Sequence, residues 1–350
     1  MFATHDSVAL KLALLAQKKR FNLVNGDAVT AQVTRSKSQT YKLFDDCDWT
    51  PRRYETAESI TSWPVLIKPD GGQGGKGISI VNDSGQLQHE LSKLVDPLIV
   101  EYLPGEEITV DCFTDRHRHL VWAGPRSRER VRAGISMRSG LVDCDAEIAD
   151  IVNTINNRLL LRGPWFVQLK KDDAGKWKLL EISCRIAGTM VFQRARGINF
   201  PLMAVHDYLG RNIDALPVKY ISQIDRAIHT MSRIDIDIDH LYVDLDDTLI
   251  INGQPTPAVM ALIYQYRAAG KQIYLITRHA SDPRKTLQEA AISASLFNDI
   301  IHLNDSTQKK SEYIQRNSLF IDNHFPERRD VAERENVVAL DVDAIEFLLR

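Results

Sequence analysis

Two aspartates stand two residues apart, Asp244 and Asp246, directly after the apolar run Leu241-Tyr242-Val243. Carboxylates placed this way can divide labour on a phosphoryl group. Asp244 attacks phosphorus to form an aspartyl phosphate, while Asp246 protonates the leaving oxygen and then activates water. Acids this crowded are unfavourable without a neutralising cation, so the pair implies Mg²⁺, or Mn²⁺ in its place. A second cluster lies far upstream, where a strand-like run ends in Lys68 and five glycines follow within seven residues, Gly74 and Gly75 among them. Such a turn lets backbone N–H groups close on phosphate oxygens. Its spacing fits neither the P-loop nor the dinucleotide fingerprint, and taken alone it equally describes a surface loop.

A third segment, Phe166 to Ile186, reads as two strands joined around Asp172 to Lys176. That pairing places Gln168 beside Glu181 and sets Glu181, Ser183 and Arg185 on one face, with Leu180, Ile182 and Cys184 toward the core. The face offers oxygens for Mg²⁺ beside a cation for phosphate; an ordinary amphipathic hairpin has the same pattern. Between these clusters, arginines at 126, 128, 130, 132 and 138 are spaced to aim guanidinium groups to one side of an extended strand. This suits an anionic substrate, although a solvated charged face reads alike.

The elements that must position these groups differ between the two halves. In the first, the short runs Val65 to Lys68 and Leu98 to Glu101 and the alternating Ile108 to Phe113 and Trp165 to Leu169 predict a mixed α+β domain. In the second, strands at Leu241 to Asp244, Gln272 to Thr277, Ile300 to His302, Leu319 to Asp322 and Val337 to Leu340 alternate with helical stretches such as Ala258 to Ala269. That is an α/β pattern with a parallel sheet, whose carboxyl edge carries Asp244 and Asp246. Between the halves, Arg233 to His240 alternates isoleucine with aspartate, as a solvated edge strand or linker does.

With 350 residues, 44% hydrophobic and 26% charged, the chain is long enough for two cores. A formal charge of −2 with interspersed signs argues against nucleic acid or an anionic membrane as partner. No apolar run reaches the roughly 18 residues of a membrane span. The scattered Cys47, Cys112, Cys144 and Cys184 lack metal-ligand spacing, and with no signal peptide at the start they predict a cytoplasmic protein.

Taken together, the upstream segments resemble the ATP-grasp family over roughly residues 30 to 215. The resemblance implies that Lys37 and Lys68 hold the phosphates of ATP with Gly74 and Gly75, that Glu101-Tyr102-Leu103 receives adenine, and that Glu107 binds ribose. It assigns Gln168, Glu181 and Ser183 to the metal face, Arg185 to the transferred phosphoryl group, and Arg132 to the reactive centre. Where Ser183 stands the family usually has asparagine. The family also carries a complete front lobe, of which residues 1–30 resemble only the last strand and helix; either the chain is shortened there, or a homo-oligomer or a partner supplies the rest.

The downstream half resembles the haloacid dehalogenase superfamily over about residues 238 to 350. That resemblance adds Thr277 as a hydrogen-bond donor to the phosphoryl group, Lys310 as its charge balance and Asp322 as the third metal acid, with Asn323 where a further acid often stands. Only 32 residues separate Asp244 from Thr277, and the same number separate Thr277 from Lys310, which leaves no room for a cap domain. The expected organisation is a front-lobe remnant at 1–30, an ATP-grasp domain with mixed sheets at 31–218, a linker at 219–237 and a capless Rossmann-like phosphohydrolase at 238–350. It resembles fusions associated with tellurium-resistance gene clusters. The implied function is bifunctional: a small-molecule carboxylate joined to an amine through an acyl phosphate, and a phosphorylated substrate hydrolysed. The alternative is a phosphatase with a nucleotide-binding regulatory module.

Overall fold

The alternating runs around Ile108 and Trp165 become long antiparallel strands whose apolar residues face a helix-covered core. A computed structural model describes residues 1–350 other than Arg20, Asn25, Gln73, Gly74 and Lys219. The chain folds as two units, Met1–Ala227 and Ile228–Arg350.

The first unit opens with helices α1 (Asp6–Ala16), α2 (Ala28–Arg35) and α3 (Lys37–Leu43). Asp27 caps α2 by accepting from Thr30 N at 2.7 Å, and Ser36 caps α3 by accepting from Gln39 N at 3.2 Å. Among the described residues a four-stranded sheet follows, ordered β1-β4-β2-β3, built from β1 (Arg53–Tyr54), β2 (Val65–Pro69), β3 (Ser79–Val81) and β4 (Pro97–Glu101), with α4 (Ser84–Leu91) packed on β3. The second sheet, ordered β10-β9-β5-β6, contains β5 (Glu107–Thr114), β6 (Leu120–Ser127), β9 (Gly163–Lys171) and β10 (Trp177–Ser183). A small third sheet pairs β7 (Arg130–Arg132), β8 (Ile135–Gly140) and β11 (Gln223–Asp225).

Helix α5 (Ala146–Arg158) buries Ile148, Ile151, Val152 and Ile155, one stripe at helical spacing, against Val110, Val167 and Leu169 of the second sheet. After the short helix α6 (Val191–Ala195), helix α7 (Phe200–Tyr208) closes a second cluster around Phe113 and Phe166.

The second unit is a parallel sheet, ordered β16-β15-β12-β17-β18 among the described residues, with β12 (His240–Val243), β15 (Gln272–Thr277), β16 (Asp299–His302), β17 (Ser318–Ile321) and β18 (Val337–Leu340). The strands β13 (Ile250–Ile251) and β14 (Gln254–Pro255) form a small hairpin whose turn needs positive φ at Asn252 and Gly253. Helices α8 (Pro257–Ala268), α9 (Pro283–Glu289) and α10 (Phe325–Ala332) cover the sheet. Leu241, Val243, Leu275, Leu319 and Ile321 on one face and Tyr242, Ile276 and Phe320 on the other are fully buried, as strands covered on both faces require.

The segment Arg233 to His240 bends at Asp235 and Ile236 and is not a strand before His240. Its isoleucines Ile234, Ile236 and Ile238 pack on the second core while Asp235, Asp237 and Asp239 stay exposed. The alternation is therefore real, but among the described residues no neighbour supplies a ladder for it. No helix among the described residues is long and apolar enough to cross a membrane.

Candidate functional site

In the first unit, the antiparallel register of β9 and β10 sets Gln168 directly opposite Glu181. A bulge between Leu179 and Glu181 then displaces Leu180. Leu179 takes the core position, and Leu180, expected in the core, lines a cavity of about 610 Å³ instead. Lys37, Lys68, Gly75, Glu101, Tyr102, Leu103, Glu107, Gln168 and Glu181 line that cavity together, so residues spread over much of the first unit converge on one space. Gly74 lies outside the described residues. Leu66, Ile80, Val100 and Leu103 give one part of the wall an apolar lining, a surface for a flat heteroaromatic ring.

The two lysines are fixed by backbone geometry. Asp70, beyond β2, accepts from Ser36 Oγ at 2.7 Å and Ser38 N at 2.6 Å, tying the end of β2 to the start of α3, where Lys37 is the first residue. Lys37 Nζ donates to Gly72 O at 2.9 Å and lies 4.0 Å from Glu181 Oε2. Lys68 is buried, and its ammonium donates to Tyr41 Oη at 2.6 Å. Burial, reinforced by the Lys37 charge, pushes the Lys68 ammonium down to about 7 against the pull of Glu181 and Glu107. Burial also lowers Lys37 and raises the carboxyl of Glu181, with Lys37 and Glu181 each opposing the other's shift. Two poorly solvated ammonium groups on one cavity wall are suited to neutralise a polyanionic phosphate, and a carboxylate beside Gln168 is a fitting oxygen donor for Mg²⁺.

Ser183 is buried and departs from the expected metal face. Its hydroxyl donates to Asp6, the first residue of α1, and it lines a side crevice with Asp6, Arg35, Lys37 and Glu181. Arg185 Nε lies 2.8 Å from the same Asp6 oxygen, an ion-pair contact off line for a hydrogen bond. Burial raises the Asp6 carboxyl, but Arg185 and Ser183 outweigh it and hold it below its ordinary value. Asp6 carries no signal of its own, because nothing local in residues 1–30 distinguishes one acid from another.

The arginine run does not act as one surface. Arg126 is buried and doubly bonded to Asp111, at 2.7 Å and 3.2 Å, because the β5–β6 register brings them close across the sheet. Arg128 Nε lies 2.6 Å from Glu107 Oε1, and Arg128 is the member of the run that lines the cavity. Arg130 and Arg138 share Asp225 on β11, at 3.0 Å and 2.9 Å. Arg132 is exposed on β7 and does not line the cavity, although its neighbours Val131 and Gly134 do. Strand pairing accounts for this scatter: β7 and β8 shift register between Arg130 and Val131.

In the second unit, Asp244, Thr277 and Asp322 lie at the carboxyl ends of the neighbouring strands β12, β15 and β17, all three buried. Lys310 reaches between two of them, 2.6 Å from Asp244 Oδ1 and 2.7 Å from Asp322 Oδ2. Burial pushes the Asp244 carboxyl up to about 6; Lys310 pulls against the shift and the Asp322 charge adds to it. Burial works against the charge of Lys310, but the two carboxylates outweigh it and hold its ammonium above the ordinary value.

Asp246 is not gathered with the other two acids. Its carboxylate is turned to His279 Nδ1 at 2.8 Å, and His279 Nε2 in turn meets Thr286 Oγ1 at 2.8 Å and Ser281 Oγ at 2.9 Å. Of the expected metal set Asp244, Asp246 and Asp322, the structure brings two acids together around Lys310 and turns the third toward His279. Among the described residues no three His, Cys, Asp or Glu side chains gather as a metal cage. Asp244 and Asp322, two buried carboxylates sharing one ammonium, still fit a divalent ion. His279 escaped the sequence reading, since a lone histidine after a strand is undistinguished until its partners are seen.

Residues 93–229 match a family model described as an ATP-grasp in the biosynthetic pathway with Ter operon. The chain is similar to the arginine-specific carbamoyl phosphate synthase large chain of Bacillus subtilis, 23% identical over 290 residues, which covers 76% of this chain and 27% of that one. It is also similar to the D-alanine–D-alanine ligase of Fusobacterium nucleatum, 33% identical over 87 residues, covering 24% of this chain and 30% of that one. The chain therefore spans less than a third of the length of either relative. Among solved structures, it superposes on the biotin carboxylase domain of Hydrogenobacter thermophilus 2-oxoglutarate carboxylase in complex with MgADP, with a TM-score of 0.52 and 16% identity over 58% of this chain and 51% of that one. This likeness shows the fold: a mixed α/β ATP-grasp architecture with antiparallel sheets.

Proposed function

We propose that the chain is an ATP-dependent carboxylate–amine ligase joined to a phosphomonoester hydrolase of the haloacid dehalogenase type. The observation that carries the first activity is the convergence of Lys37, Lys68, the segment Glu101–Leu103, Gln168 and Glu181 on one cavity. The apolar wall beside Leu103 receives adenine, and Lys37 and Lys68 neutralise the phosphates. Gln168 and Glu181 are the groups that would hold Mg²⁺, which when bound would add positive charge at the triphosphate. A carboxylate oxygen then attacks the γ-phosphorus and ADP leaves; an amine attacks the acyl carbon and orthophosphate leaves. The residues contribute alignment and charge neutralisation rather than covalent chemistry. The family described with the Ter operon and the relative that ligates D-alanine support a biosynthetic ligase with small-molecule substrates.

The second activity is supported by Lys310 bridging Asp244 and Asp322 at the carboxyl edge of a parallel sheet. Asp244 attacks the phosphorus of a monoester, and Asp246, exposed and oriented by His279, protonates the leaving oxygen. Water, deprotonated by Asp246, then releases orthophosphate. Asp244 and Asp322 are the groups that would hold Mg²⁺.

The test mixes the chain with ATP, Mg²⁺ and pooled amino acids and follows ADP and orthophosphate separately. Carboxylate-dependent ADP formation that disappears in Lys68→Ala is the expected result. Binding of ATP without turnover across a broad pool would instead favour a nucleotide-binding regulatory module.

A further inference from the structure

Residue Asp6 reaches the phosphate end of the first unit from a helix that precedes every strand of the cavity. Its Oδ1 accepts from Ser183 Oγ and lies 2.8 Å from Arg185 Nε, with the Asp6 and Arg185 side chains 17% and 18% exposed. Arg185 also donates from Nη1 to Ile186 O at 3.2 Å and lies over the Phe166 ring, 5.1 Å from its centre. The guanidinium is thereby gripped at its edge by a carboxylate and along its face by an aromatic ring. A long side chain fixed before its ligand arrives does not lose that rotamer freedom on binding.

We infer that Asp6 is a positioning residue for phosphoryl transfer: it lines the crevice shared with Lys37 and Glu181, and from there it holds Arg185, which does not itself line the crevice, at 2.8 Å. This rests on the ligase reading of the first unit. The sign of the effect separates the role from a simple charge effect. A carboxylate subtracts from the field that Arg185 offers an incoming phosphoryl group, so an Asp6 acting through charge alone would weaken anion binding, and its removal would tighten it. An Asp6 acting by holding the guanidinium has the opposite signature. The contact also gives Ser183 a role that asparagine would fill differently: its short hydroxyl reaches the Asp6 carboxylate and helps fix it.

The experiment uses the full chain and measures binding of MgADP alone and of MgADP with aluminium fluoride, a mimic of the phosphoryl group in flight. Variants are Asp6→Asn, which keeps the shape, Asp6→Ala, Arg185→Ala and the double variant Asp6→Ala/Arg185→Ala. We expect MgADP affinity to stay within about twofold in all of them, while the added affinity from aluminium fluoride falls about tenfold in either Asp6 variant. The double variant should be no worse than Arg185→Ala alone, because Asp6 acts through Arg185. Tighter or unchanged aluminium fluoride binding in Asp6→Asn overturns the inference, as does an additive double variant. If wild-type chain fails to bind MgADP, the ligase reading itself falls, an outcome distinct from loss of the aluminium fluoride increment alone.

Discussion

Lys68 donates to the phenolic oxygen of Tyr41 at 2.6 Å, and the Tyr41 hydroxyl in turn donates to Leu180 O at 2.6 Å. Both side chains are buried, so this relay fixes an ammonium at the cavity wall and ties it to the bulge that turns Leu180 inward. The phenol stays protonated, since burial raises it well above its ordinary value. An ammonium held this way is ready for phosphate but reluctant to stay charged without it.

Proton uptake on nucleotide binding follows from that reluctance. In the free chain Lys68 titrates near about 7, chiefly through burial, and a bound triphosphate raises it again. Above neutrality, binding must therefore draw a proton from solution, and affinity should weaken as pH climbs from about 7 toward the value in the complex. Titration calorimetry in two buffers of different ionisation heat reads the proton count directly. Zero uptake at about pH 8 would place the triphosphate away from Lys68.

Removing the Tyr41 hydroxyl alone tests the relay. Tyr41→Phe keeps the ring but leaves Lys68 Nζ and Leu180 O without this partner, a loss of about 1–3 kcal/mol by the usual cost of stranding buried polar groups. Thermal unfolding should shift down, and ATP affinity should fall as Lys68 loses its fixed direction. Unchanged melting and affinity together would mean that water replaces the phenol without penalty.

Much of this arrangement was legible in the sequence because it depends on local periodicity. The strand Gln272–Thr277 and the pairing of Gln168 with Glu181 follow from alternation and a short turn. What escaped depends on register shifts or on contacts distant in sequence. The bulge at Leu179/Glu181 reversed Leu180, and a register change at Arg130/Val131 helped scatter the arginines. Asp6 and His279 acquire meaning only from partners, Arg185 and Asp246, that no spacing rule connects to them.

The buried Arg126–Asp111 pair should be structural, in contrast to Arg128. Asp111→Ala would strand a guanidinium that is 2% exposed, at a cost of about 3–5 kcal/mol by the behaviour of broken buried pairs. Replacing both partners, Arg126→Met with Asp111→Leu, should recover most of that loss in denaturant unfolding and leave nucleotide affinity intact. Arg128→Met should do the reverse, with small effect on unfolding and weaker ATP binding. Loss of ATP binding in the refolded double variant would restore Arg126 to the substrate site.

At the second unit, the decisive relationship is two buried carboxylates sharing Lys310. A raised Asp244 means that the folded chain holds its proton more tightly than the unfolded chain, so this group's contribution to stability declines as pH rises from the ordinary 3.8 through about 6. A divalent ion beside ionised Asp244 and Asp322 offsets that decline, and it has less to offset once Asp244 is protonated. Mg²⁺ should therefore raise the melting temperature of the chain more at about pH 7.5 than at about pH 5, and Asp244→Asn should shrink the difference. The same variant should abolish hydrolysis of a generic aromatic phosphomonoester, because an amide cannot serve as the attacking oxygen. Hydrolysis that survives in Asp244→Asn excludes that nucleophile, and a Mg²⁺ shift equal at both pH values places the ion away from Asp244.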